Sequence, residues 1–332
     1  MPKGPTLSIC IPNYNMRQWI CGAVDSALAV IPHESVEVVI ADNSSTDGSL
    51  DVLTRYAPEQ RVRILAFQDH VPMAENWNRA VIGSTGEWCL LLSADDEVLP
   101  GFFTNLLTGP LLDPAIAAVS QGAEVVGLEN VGFSLLGDAA DHRYSQQRSL
   151  SELIPWNPFP LCSTAFRREA FDEVGGFISI NEYCDYHFWL RCVFVLSRDI
   201  ASIGKIGARY YVTRGNTGIS IVREGEDLTR IMALLDDIAP VIGSNRSREM
   251  DRALVWGTIR GLHTLTRVNG PVLAIRNATS VLPRASRIER TLIRFFVFVI
   301  SCGAWRVIFP LKKHLAVRTR VRRALQSARA RT

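Results

Sequence analysis

The sequence predicts an α/β fold, Rossmann-like, with a mostly parallel central sheet followed by a helical, basic C-terminal extension. Short apolar runs alternate with helical stretches over the first 130 residues, as in right-handed βαβ units. Residues 88–92 are apolar throughout, which is typical of a strand covered on both faces of a parallel sheet. From about residue 224 the pattern is helical to the end, which predicts the extension.

Each element follows from its local pattern. The predicted strands are 7–11, 36–41, 62–67, 88–92, 116–126 and, as one strand or two, 202–212. The predicted helices are 17–30, 49–56, 73–82 and 183–196. Pro12 is expected to end the first strand, and the polar run 42–48 supplies a turn and caps the following helix.

Composition limits the class of protein. Hydrophobic residues make up 47% and charged residues 21% of the 332 residues, which are ordinary values for a globular protein. The seven cysteines show neither CxxC pairs nor zinc-site spacing, so we expect reduced thiols. Residues 1–8 lack a basic segment followed by an apolar one. We therefore expect no signal peptide and a cytoplasmic protein.

The net charge of +3 is unevenly distributed. Residues 284–332 contain 13 Lys and Arg and one acidic residue, Glu289, a formal charge of +12, so the rest of the chain sums to −9. This asymmetry indicates an anionic surface as the partner of 284–332, either membrane or nucleic acid. Aromatic residues do not interleave with the arginines, so no nucleic acid is expected.

The basic region also contains apolar segments. Residues 295–305 form an uncharged run of 11 residues. As a helix this run spans about 16 Å, roughly half of the ~30 Å hydrocarbon core, which is too short to cross alone. Beyond it, apolar residues at 317, 321, 325 and 328 share one helix face among arginines. The pattern fits an interfacial helix at the inner face of the plasma membrane, or a core helix followed by a solvated basic tail.

Two acids, Asp95 and Asp96, follow the strand 88–92 with only Ser93 and Ala94 between. A carboxylate pair at the end of a buried strand is unfavourable unless it is solvated, hydrogen-bonded or metal-bound. Oxygen ligands favour Mg²⁺ or Mn²⁺, which are usually held by one or two carboxylates together with substrate phosphates. Alternatively, the acids interact with the dipole of the helix that follows.

Polar residues follow two other predicted strands. Tyr14 and Asn15 come after the first strand, and Asp42 and Ser44 come after the second. Carboxyl ends of parallel strands meet at one edge of the sheet, where ligands bind. Asp42 is predicted either to contact a base or ribose or to cap its own turn. Neither GxGxxG nor GxxxxGK[ST] occurs, which argues against dinucleotide oxidoreductases and P-loop NTPases.

Four blocks resemble family 2 glycosyltransferases of the GT-A fold in order, spacing and strand context. They are Ile11-Pro12-Asn13-Tyr14-Asn15; residues 39–49; Gly86-Glu87-Trp88 with residues 91–96; and Val174-Gly175-Gly176-Phe177 with residues 185–191. The resemblance spans about residues 6–195. We therefore expect a GT-A domain at 1–222, with a nucleotide half at about 1–130 and an acceptor half at about 131–222, and a helical region at 223–332.

The resemblance implies roles for individual residues. The nucleotide-binding residues that it implies are Pro12, Tyr14, Asn15, Asp42, Ser44, Asn76, Trp77 and Ala94. It implies metal binding by Asp95, with Asp96 second, and it matches Asp185 to the catalytic base of the inverting enzymes. Asp185 could otherwise be a solvated acid on a helix surface. Trp189 is either a core residue or a platform for an acceptor sugar, and Arg214 is a candidate contact for the diphosphate.

The implied reaction is inverting transfer of a sugar from a nucleotide-sugar donor, a UDP-sugar, to a saccharide or lipid-linked saccharide in surface polysaccharide or glycan biosynthesis. The base accepts the proton of the attacking hydroxyl, and Mn²⁺ or Mg²⁺ neutralises charge on the departing diphosphate. Three residues depart from the family pattern: Ser93 replaces the first acid of the metal motif, Trp77 replaces an arginine, and Cys184 replaces a glutamate. Because of Ser93, a catalytically inactive sugar-nucleotide-binding or scaffolding protein is the alternative.

Overall fold

The computed structural model describes residues 6–30, 35–107, 113–127, 135–138, 140–147, 150–154, 156–212, 227–268 and 270–301. The chain divides into two compact units. The first comprises residues 1–146 and 158–214, and the second comprises 147–157 and 215–332. The boundary predicted at 222 falls in the stretch 213–226, which lies outside the described residues.

In the first unit, the described residues form a sheet of ten strands. These are β1 (Leu7–Asn13), β2 (Val36–Asn43), β3 (Val62–Phe67), β4 (Trp88–Leu91), β5 (Glu97–Val98), β6 (Ile116–Gly127), β7 (Leu135–Leu136), β8 (His142–Tyr144), β9 (Thr164–Arg167) and β10 (Asp199–Val212). The main order is β3-β2-β1-β4-β9-β6-β10-β5, with β7 beside β6 and β8 beside β10. The run β3-β2-β1-β4 and the pair β6–β10 are parallel, whereas β9 is antiparallel to both of its neighbours. The predicted mostly parallel sheet is confirmed.

The described residues form eleven α-helices, and the four whose bounds were predicted are no longer than predicted. They are α1 (Ile20–Ala29), α2 (Ser49–Leu53), α3 (Met73–Ile82), α4 (Phe102–Leu107), α5 (Leu150–Leu153), α6 (Arg168–Val174), α7 (Cys184–Phe194), α8 (Asp227–Ile242), α9 (Ser244–Val268), α10 (Gly270–Ser280) and α11 (Arg287–Ser301). The helix predicted at 73–82 is confirmed, and the one predicted at 49–56 is an α-helix that continues as a 3₁₀ turn, Thr54–Tyr56.

The prediction that Pro12 ends the first strand is wrong, since β1 continues through Pro12, opposite Ala41, to Asn13. The Cys10 carbonyl accepts a hydrogen bond from Leu92 N. Hydrogen-bonding direction alternates along a strand, so Pro12 faces the same side as Cys10, beyond the last residue of β4. The missing N–H of proline therefore removes no ladder hydrogen bond, and such positions tolerate proline.

Burial along the strands follows their place in the sheet. All four residues of β4 are buried, and β1 is buried except at the half-buried Pro12. This matches the apolar run that predicted a doubly covered strand. By contrast, β3 lies at the edge of the sheet and contains no fully buried residue. Among β3, β2, β1 and β4, the strands best shielded from solvent are therefore the inner ones. The turns after β1, β2 and β4 all leave the sheet at the carboxyl ends of these strands.

A cluster of aromatic rings joins β9, α6 and α7. Phe166 of β9 lies 6.1 Å from Phe171 of α6 and 5.2 Å from Phe188 of α7, measured between ring centroids. Phe177, from the turn between the two helices, lies 4.7 Å from Phe188. Such pairs contribute about 0.5–1.5 kcal/mol each beyond the area they bury. The cluster holds α7 against the sheet.

All regular secondary structure in the described part of the second unit is helical, as predicted for the C-terminal region. Arg284, in the turn before α11, bonds Asp236 of α8 at 2.5 Å and Asp251 of α9 at 2.6 Å. One guanidinium thereby links three segments of the unit. None of the helices in the described parts of the chain combines the length and apolar character needed to cross a membrane.

The cysteines in the described part of the chain are free thiols, as their spacing predicted. Cys302 and the rest of residues 302–332, including the predicted basic face at 317–328, lie outside the described residues.

Candidate active site

A buried polar cluster joins the turns after β1 and β2. Asn13 Nδ2 donates to Asp42 Oδ1 at 2.6 Å and to Ser45 Oγ at 3.1 Å, while Ser45 N donates to Asp42 Oδ2 at 3.0 Å. Asn13 and Asp42 are fully buried, and Asn13 Oδ1 has no hydrogen-bond partner among the described residues. Buried carbonyl oxygens are nearly always hydrogen-bonded, so this unpaired acceptor marks the cluster as a place for a donor from outside the protein.

The two turns contain strained backbone. Asn15 has a φ of 53° and Ser44 a φ of 62°, in the left-handed region that residues other than glycine adopt uncommonly. Asn15 is held by bonds from its N to Ser45 Oγ at 2.9 Å and from Thr46 N to its Oδ1 at 2.8 Å. Ser44 Oγ donates to the Gln68 carbonyl at 3.3 Å. Strain of this kind is maintained by surrounding contacts and clusters at binding sites.

Tyr14 is the exposed aromatic residue at this edge, with 47% of its surface accessible. Its ring lies 4.3 Å from that of His70, tilted by 46°. Asn43, at the end of β2, lies with Nδ2 3.2 Å from His70 Nδ1 and donates to the Val71 carbonyl at 2.8 Å. Tyr14 and His70 together present a ring surface suited to stacking on a planar base.

The sequence did not point to His70 or Arg79, because each acquires its neighbours only in the folded sheet. Arg79 NH2 donates to Asp69 Oδ2 at 2.6 Å, and NH1 lies 3.4 Å from Asn43 Oδ1. The guanidinium also lies 4.2 Å above the Phe67 ring. The bond from Arg79 is the largest cause of a lowered pKa at Asp69. Arg79 thus stabilises the loop that carries His70.

Two of the predicted nucleotide-binding residues on α3 contact the protein itself. Asn76 is buried, and its Nδ2 donates to the Ala41 carbonyl of β2 at 3.2 Å. Trp77 is half-buried, with its ring edge-on to Phe177 at 5.4 Å. These contacts position α3 beneath the turn after β2 and against the Gly-Gly-Phe turn. A nucleotide-binding role for either residue stays a prediction.

The Gly-Gly-Phe turn is held from both sides. Asn78 of α3 donates to the Phe177 carbonyl at 2.8 Å and accepts from Phe177 N at 2.9 Å. Arg191 of α7 donates to the Val174 carbonyl at 2.6 Å and to the Gly176 carbonyl. The turn therefore connects α3, beside the β2 end, to α7, which carries Asp185. Asn78 is a further residue whose role the sequence did not indicate, after His70 and Arg79.

The acidic turn after β4 contains two unlike carboxylates. Asp96 is 2% exposed, and its Oδ1 accepts a hydrogen bond from Tyr211 N at 2.9 Å. Burial, together with the neighbouring Asp95 carboxylate, raises the pKa of Asp96 well above its usual range. Asp95 is half-buried, and burial raises its pKa too. Asp96 faces inward and anchors the turn, so it is a poorer metal ligand than the sequence suggested. Ala94, a predicted nucleotide-binding residue, is buried as well.

Asp95 fits a divalent cation better. No side chain of the described residues donates a hydrogen bond or provides a cation to its carboxylate, and a bond from its own backbone N–H offsets only part of the effect of burial. Within the described ranges no three His, Cys, Asp or Glu side chains converge on one point. The described residues would supply few ligands besides Asp95, an arrangement that is usual for Mg²⁺ held jointly with substrate phosphates.

Asp185 lies in the first turn of α7 and is half-buried. Its carboxylate is near the positive end of the helix dipole, where acidic side chains are favourable. Trp189, one turn further, is 1% exposed and packs on Phe166 and Phe188 at 6.0 and 4.9 Å. Of the two predictions for Trp189 the structure favours core packing, because a buried indole offers no face to an acceptor. Arg214 lies outside the described residues.

Comparison with known families agrees with this architecture. The family model described as Glycosyl transferase family 2 matches residues 8–175. The chain belongs to glycosyl transferase family 2. The matched segment contains the turns after β1, β2 and β4 and ends within the Gly-Gly-Phe turn.

Curated relatives match parts of the chain. An uncharacterized glycosyltransferase of Nostoc sp. is 29% identical over 180 residues, 51% of this chain and 52% of the relative. The putative teichuronic acid biosynthesis glycosyltransferase TuaG of Bacillus subtilis is 31% identical over 94 residues, 28% of this chain and 37% of the relative. The succinoglycan biosynthesis protein ExoO of Rhizobium meliloti is 28% identical over 144 residues, 43% and 40% respectively. The matches thus span about half the length of these relatives or less.

Solved structures share the fold. TarS 1–349 of S. aureus, in complex with UDP, superposes with a TM-score of 0.61 at 16% identity, covering 90% of this chain and 88% of the other. The mannosyltransferase PcManGT from Pyrobaculum calidifontis, in complex with GDP-Man and Mn²⁺, superposes with a TM-score of 0.56 at 18% identity, covering 92% and 83%. At these identities the likeness concerns the fold, and the predicted GT-A architecture is confirmed.

Proposed function

We propose that this protein transfers a sugar, with inversion, from a nucleoside diphosphate sugar to a hydroxyl of a saccharide or lipid-linked saccharide. The observation that carries the proposal is the shared edge of β2, β1 and β4. Asn13 lies opposite Asp42, and Cys10 lies opposite Leu91, so the turns after all three strands leave the sheet together. That edge brings the Asn13–Asp42 cluster and the Asp95 carboxylate into one region.

The donor would lie along this edge with its base beside Tyr14. The exposed Tyr14 ring and the neighbouring His70 imidazole suit stacking on a planar base. The unpaired Asn13 Oδ1 suits a hydrogen bond from an imino or amino group of that base. Uracil is our proposed base, since its N3–H provides such a donor. Structural neighbours in complex with UDP, with UDP-GlcNAc and with GDP-Man have the same fold, so the fold accommodates more than one base.

Asp185 is the proposed base. It would accept the proton of the acceptor hydroxyl as that oxygen attacks the anomeric carbon from the side opposite the diphosphate. A single base with in-line attack inverts the anomeric configuration, whereas retention through a covalent intermediate requires a second, nucleophilic carboxylate. Asp95 would hold Mn²⁺ or Mg²⁺, which when bound supplies Lewis-acid stabilisation of the departing diphosphate.

The acceptor class is proposed from the relatives. Two of them are named for the synthesis of teichuronic acid and of succinoglycan, and relatives from Mycobacterium bovis and Mycobacterium tuberculosis for PGL/p-HBAD biosynthesis. We therefore propose a role in the assembly of surface polysaccharide or glycolipid.

The test measures nucleoside diphosphate release from a panel of UDP- and GDP-sugars with Mn²⁺, together with donor affinity. We expect turnover in the wild type. We expect Asp185→Asn to reduce the rate by roughly 10²–10⁴-fold, the usual range for a positioned base, with little change in donor affinity. Asp172→Asn, a change at an exposed acid of α6 that has no proposed part in the reaction, is the matched control and should retain the rate.

The outcomes separate the two functions. Donor binding without any turnover would favour the inactive sugar-nucleotide-binding protein that Ser93 suggests. Loss of donor binding in Asp185→Asn would remove Asp185 from the base role and assign it to the donor instead. Full activity in that variant would reject the proposed base outright.

A further inference from the structure

Helix α11 presents a strip of large apolar side chains to solvent. Ile288, Phe295 and Phe298 are 74%, 55% and 67% exposed. They are separated by seven and three residues, so at about 100° per residue they share one side of the helix. The buried apolar residues of the helix are Ile293, Val299 and Ile300. The helix therefore packs in its unit through one side and leaves a second apolar strip uncovered.

Three arginines border this strip. Arg287, Arg290 and Arg294 are exposed, and their spacing of three and four residues places them in a row on the solvent side. No salt bridge involves any of the three within the described part of the chain, although Arg290 Nε donates to the Ala285 carbonyl at 2.8 Å.

The acid of the helix does not offset this charge at the surface. Glu289 is 6% exposed, and its Oε2 accepts a hydrogen bond from Ser286 N at 2.8 Å, in a capping box at the start of α11. The exposed face of the helix therefore carries three positive charges beside three large apolar side chains. Residues 302–332, directly after it in the sequence, contain nine more Lys and Arg and no acid.

We propose that this face of α11 docks on the surface of a bilayer that contains anionic phospholipid. Ile288, Phe295 and Phe298 would enter the boundary between headgroups and acyl chains, while the arginines contact lipid phosphates. The strip extends from Ile288 to Phe298, ten residue steps or about 15 Å along the helix, which suits a helix lying in the interface plane. The proposal rests on α11 alone and does not depend on the transfer reaction proposed above.

Charge favours a membrane over the other occupants of such a face. A second copy of α11 would bring three arginines against three arginines, and like charges across an interface oppose association. A nucleic acid would satisfy the arginines but would leave the uncovered phenylalanines without an apolar environment. An anionic bilayer surface satisfies both parts of the face at once.

The test is flotation of the full-length protein with vesicles of phosphatidylcholine, with and without about 30% phosphatidylglycerol. We expect the wild type to float with the anionic vesicles. Phe295→Ser with Phe298→Ser should lower the partition coefficient by about tenfold or more. Arg287→Gln with Arg294→Gln should lower it by roughly 30-fold, from about 5-fold per arginine near an anionic surface.

Two matched controls isolate the face. Arg55→Gln with Arg63→Gln removes the same number of exposed arginines from the first unit, and Ile82→Ser removes an apolar residue that is 71% exposed there. Both should float like the wild type, as should Asp185→Asn, which separates this proposal from the proposed function. Circular dichroism checks that each variant is folded.

Four results would overturn the proposal. The first is a wild type that does not float with anionic vesicles, and the second is a phenylalanine variant that floats as well as the wild type. The third is a wild type that is dimeric in solution and becomes monomeric when Phe295 and Phe298 are replaced, since that assigns the face to a second copy. Loss of binding to a duplex oligonucleotide in the arginine variant alone, with flotation unchanged, would likewise reject the lipid surface.

Discussion

The Glu37 carboxylate holds three neighbouring segments of the first unit together. Its Oε1 accepts hydrogen bonds from Ser8 Oγ at 2.7 Å, Thr85 N at 2.5 Å and Thr85 Oγ1 at 2.8 Å. Ser8 Oγ in turn accepts from Gly86 N at 2.7 Å. Burial alone would raise the pKa of Glu37, but these hydrogen bonds bring it below its ordinary value. The residue joins β2 to β1 and to the turn before β4.

Replacing Glu37 with glutamine tests how much its negative charge contributes to stability. We expect Glu37→Gln to reduce the free energy of unfolding at pH 7 by about 1–2 kcal/mol, because a charged acceptor is lost. A lowered native pKa stabilises the fold above the unfolded-state pKa of about 4.3, and this contribution is lost as the pH falls through the native pKa. The difference between wild type and variant should therefore shrink below about pH 4.

Urea unfolding of the wild type and of Glu37→Gln, at pH 7 and below about pH 4, measures the difference in their free energies of unfolding. Glu75→Gln, an exposed acid on α3, is the control and should change little at either pH. A difference as large in acid as at neutral pH would mean that side-chain geometry, and not charge, accounts for the effect.

At the scale of the element, α7 is positioned through its C-terminal half while the proposed base lies in its first turn. Arg191 bonds the carbonyls of Val174 and Gly176, and Asn78 bonds both backbone groups of Phe177. Because α3 also bonds the end of β2 through Asn76, one series of contacts runs from the nucleotide edge to the helix of Asp185. The Gly-Gly-Phe turn is the middle of that series.

The two glycines of this turn form a matched pair. Gly175 and Gly176 have φ values of 79° and 75°, so alanine is strained at both. A Cβ at Gly175 meets nothing within 4 Å, whereas at Gly176 it would lie 2.8 Å from Asn78 Oδ1 and 3.1 Å from the Phe171 ring. We expect Gly175→Ala to destabilise by about 1 kcal/mol and Gly176→Ala by about 3 kcal/mol, with a lower transfer rate only in the latter.

Chemical denaturation and donor turnover, measured on the two variants side by side, check this prediction. Equal losses of stability would show that backbone strain dominates and that the turn adapts to the added methyl group. A normal turnover rate in Gly176→Ala would show that α7 is not positioned through the turn.

At the scale of the whole molecule, each of the two units is organised around a different kind of contact. The first is built on a sheet in which β1, β2 and β4 are largely apolar, with their polar residues confined to the strand ends. The second is helical in its described residues, and Arg284 provides its most connected polar contact, to Asp236, Asp251 and the Met232 carbonyl. The Arg284 side chain is 17% exposed, whereas those of Asp236 and Asp251 are 67% and 28% exposed, so the ion pair with Asp251 is the better shielded from water.

Removing this guanidinium should therefore destabilise the second unit. We expect Arg284→Met to reduce stability by about 2 kcal/mol, because two acids lose their common partner. Arg17→Met removes an ion pair of the first unit whose side chains are 51% and 80% exposed, and it should lose no more than about 1 kcal/mol. Thermal unfolding compares the two variants, and a loss for Arg284→Met no larger than that for Arg17→Met would contradict the role of Arg284.

Local patterns were sufficient for the order of elements from β1 to β4, for β6, α7 and β10, and for the family. They did not predict β5, β7, β8 and β9 or α4, α5 and α6. Apolar runs, turn residues and motif spacing are properties of short stretches of sequence, and they can be identified without knowing what packs against the stretch. They also placed Asp42, Asp95 and Asp185 at strand and helix ends, where the structure has them. Their roles in binding and catalysis stay predictions.

Contacts between distant stretches could be decided only by the tertiary structure. Adjacent in sequence, Asp95 and Asp96 look alike, yet packing buries Asp96 against Tyr211 and leaves Asp95 half-exposed. Asn13 finds Asp42, and Arg191 finds Gly176, only once the sheet and α7 are assembled. Burial and hydrogen bonding depend on what packs against a side chain, and that is set by the whole chain, whereas periodicity is written into each short segment.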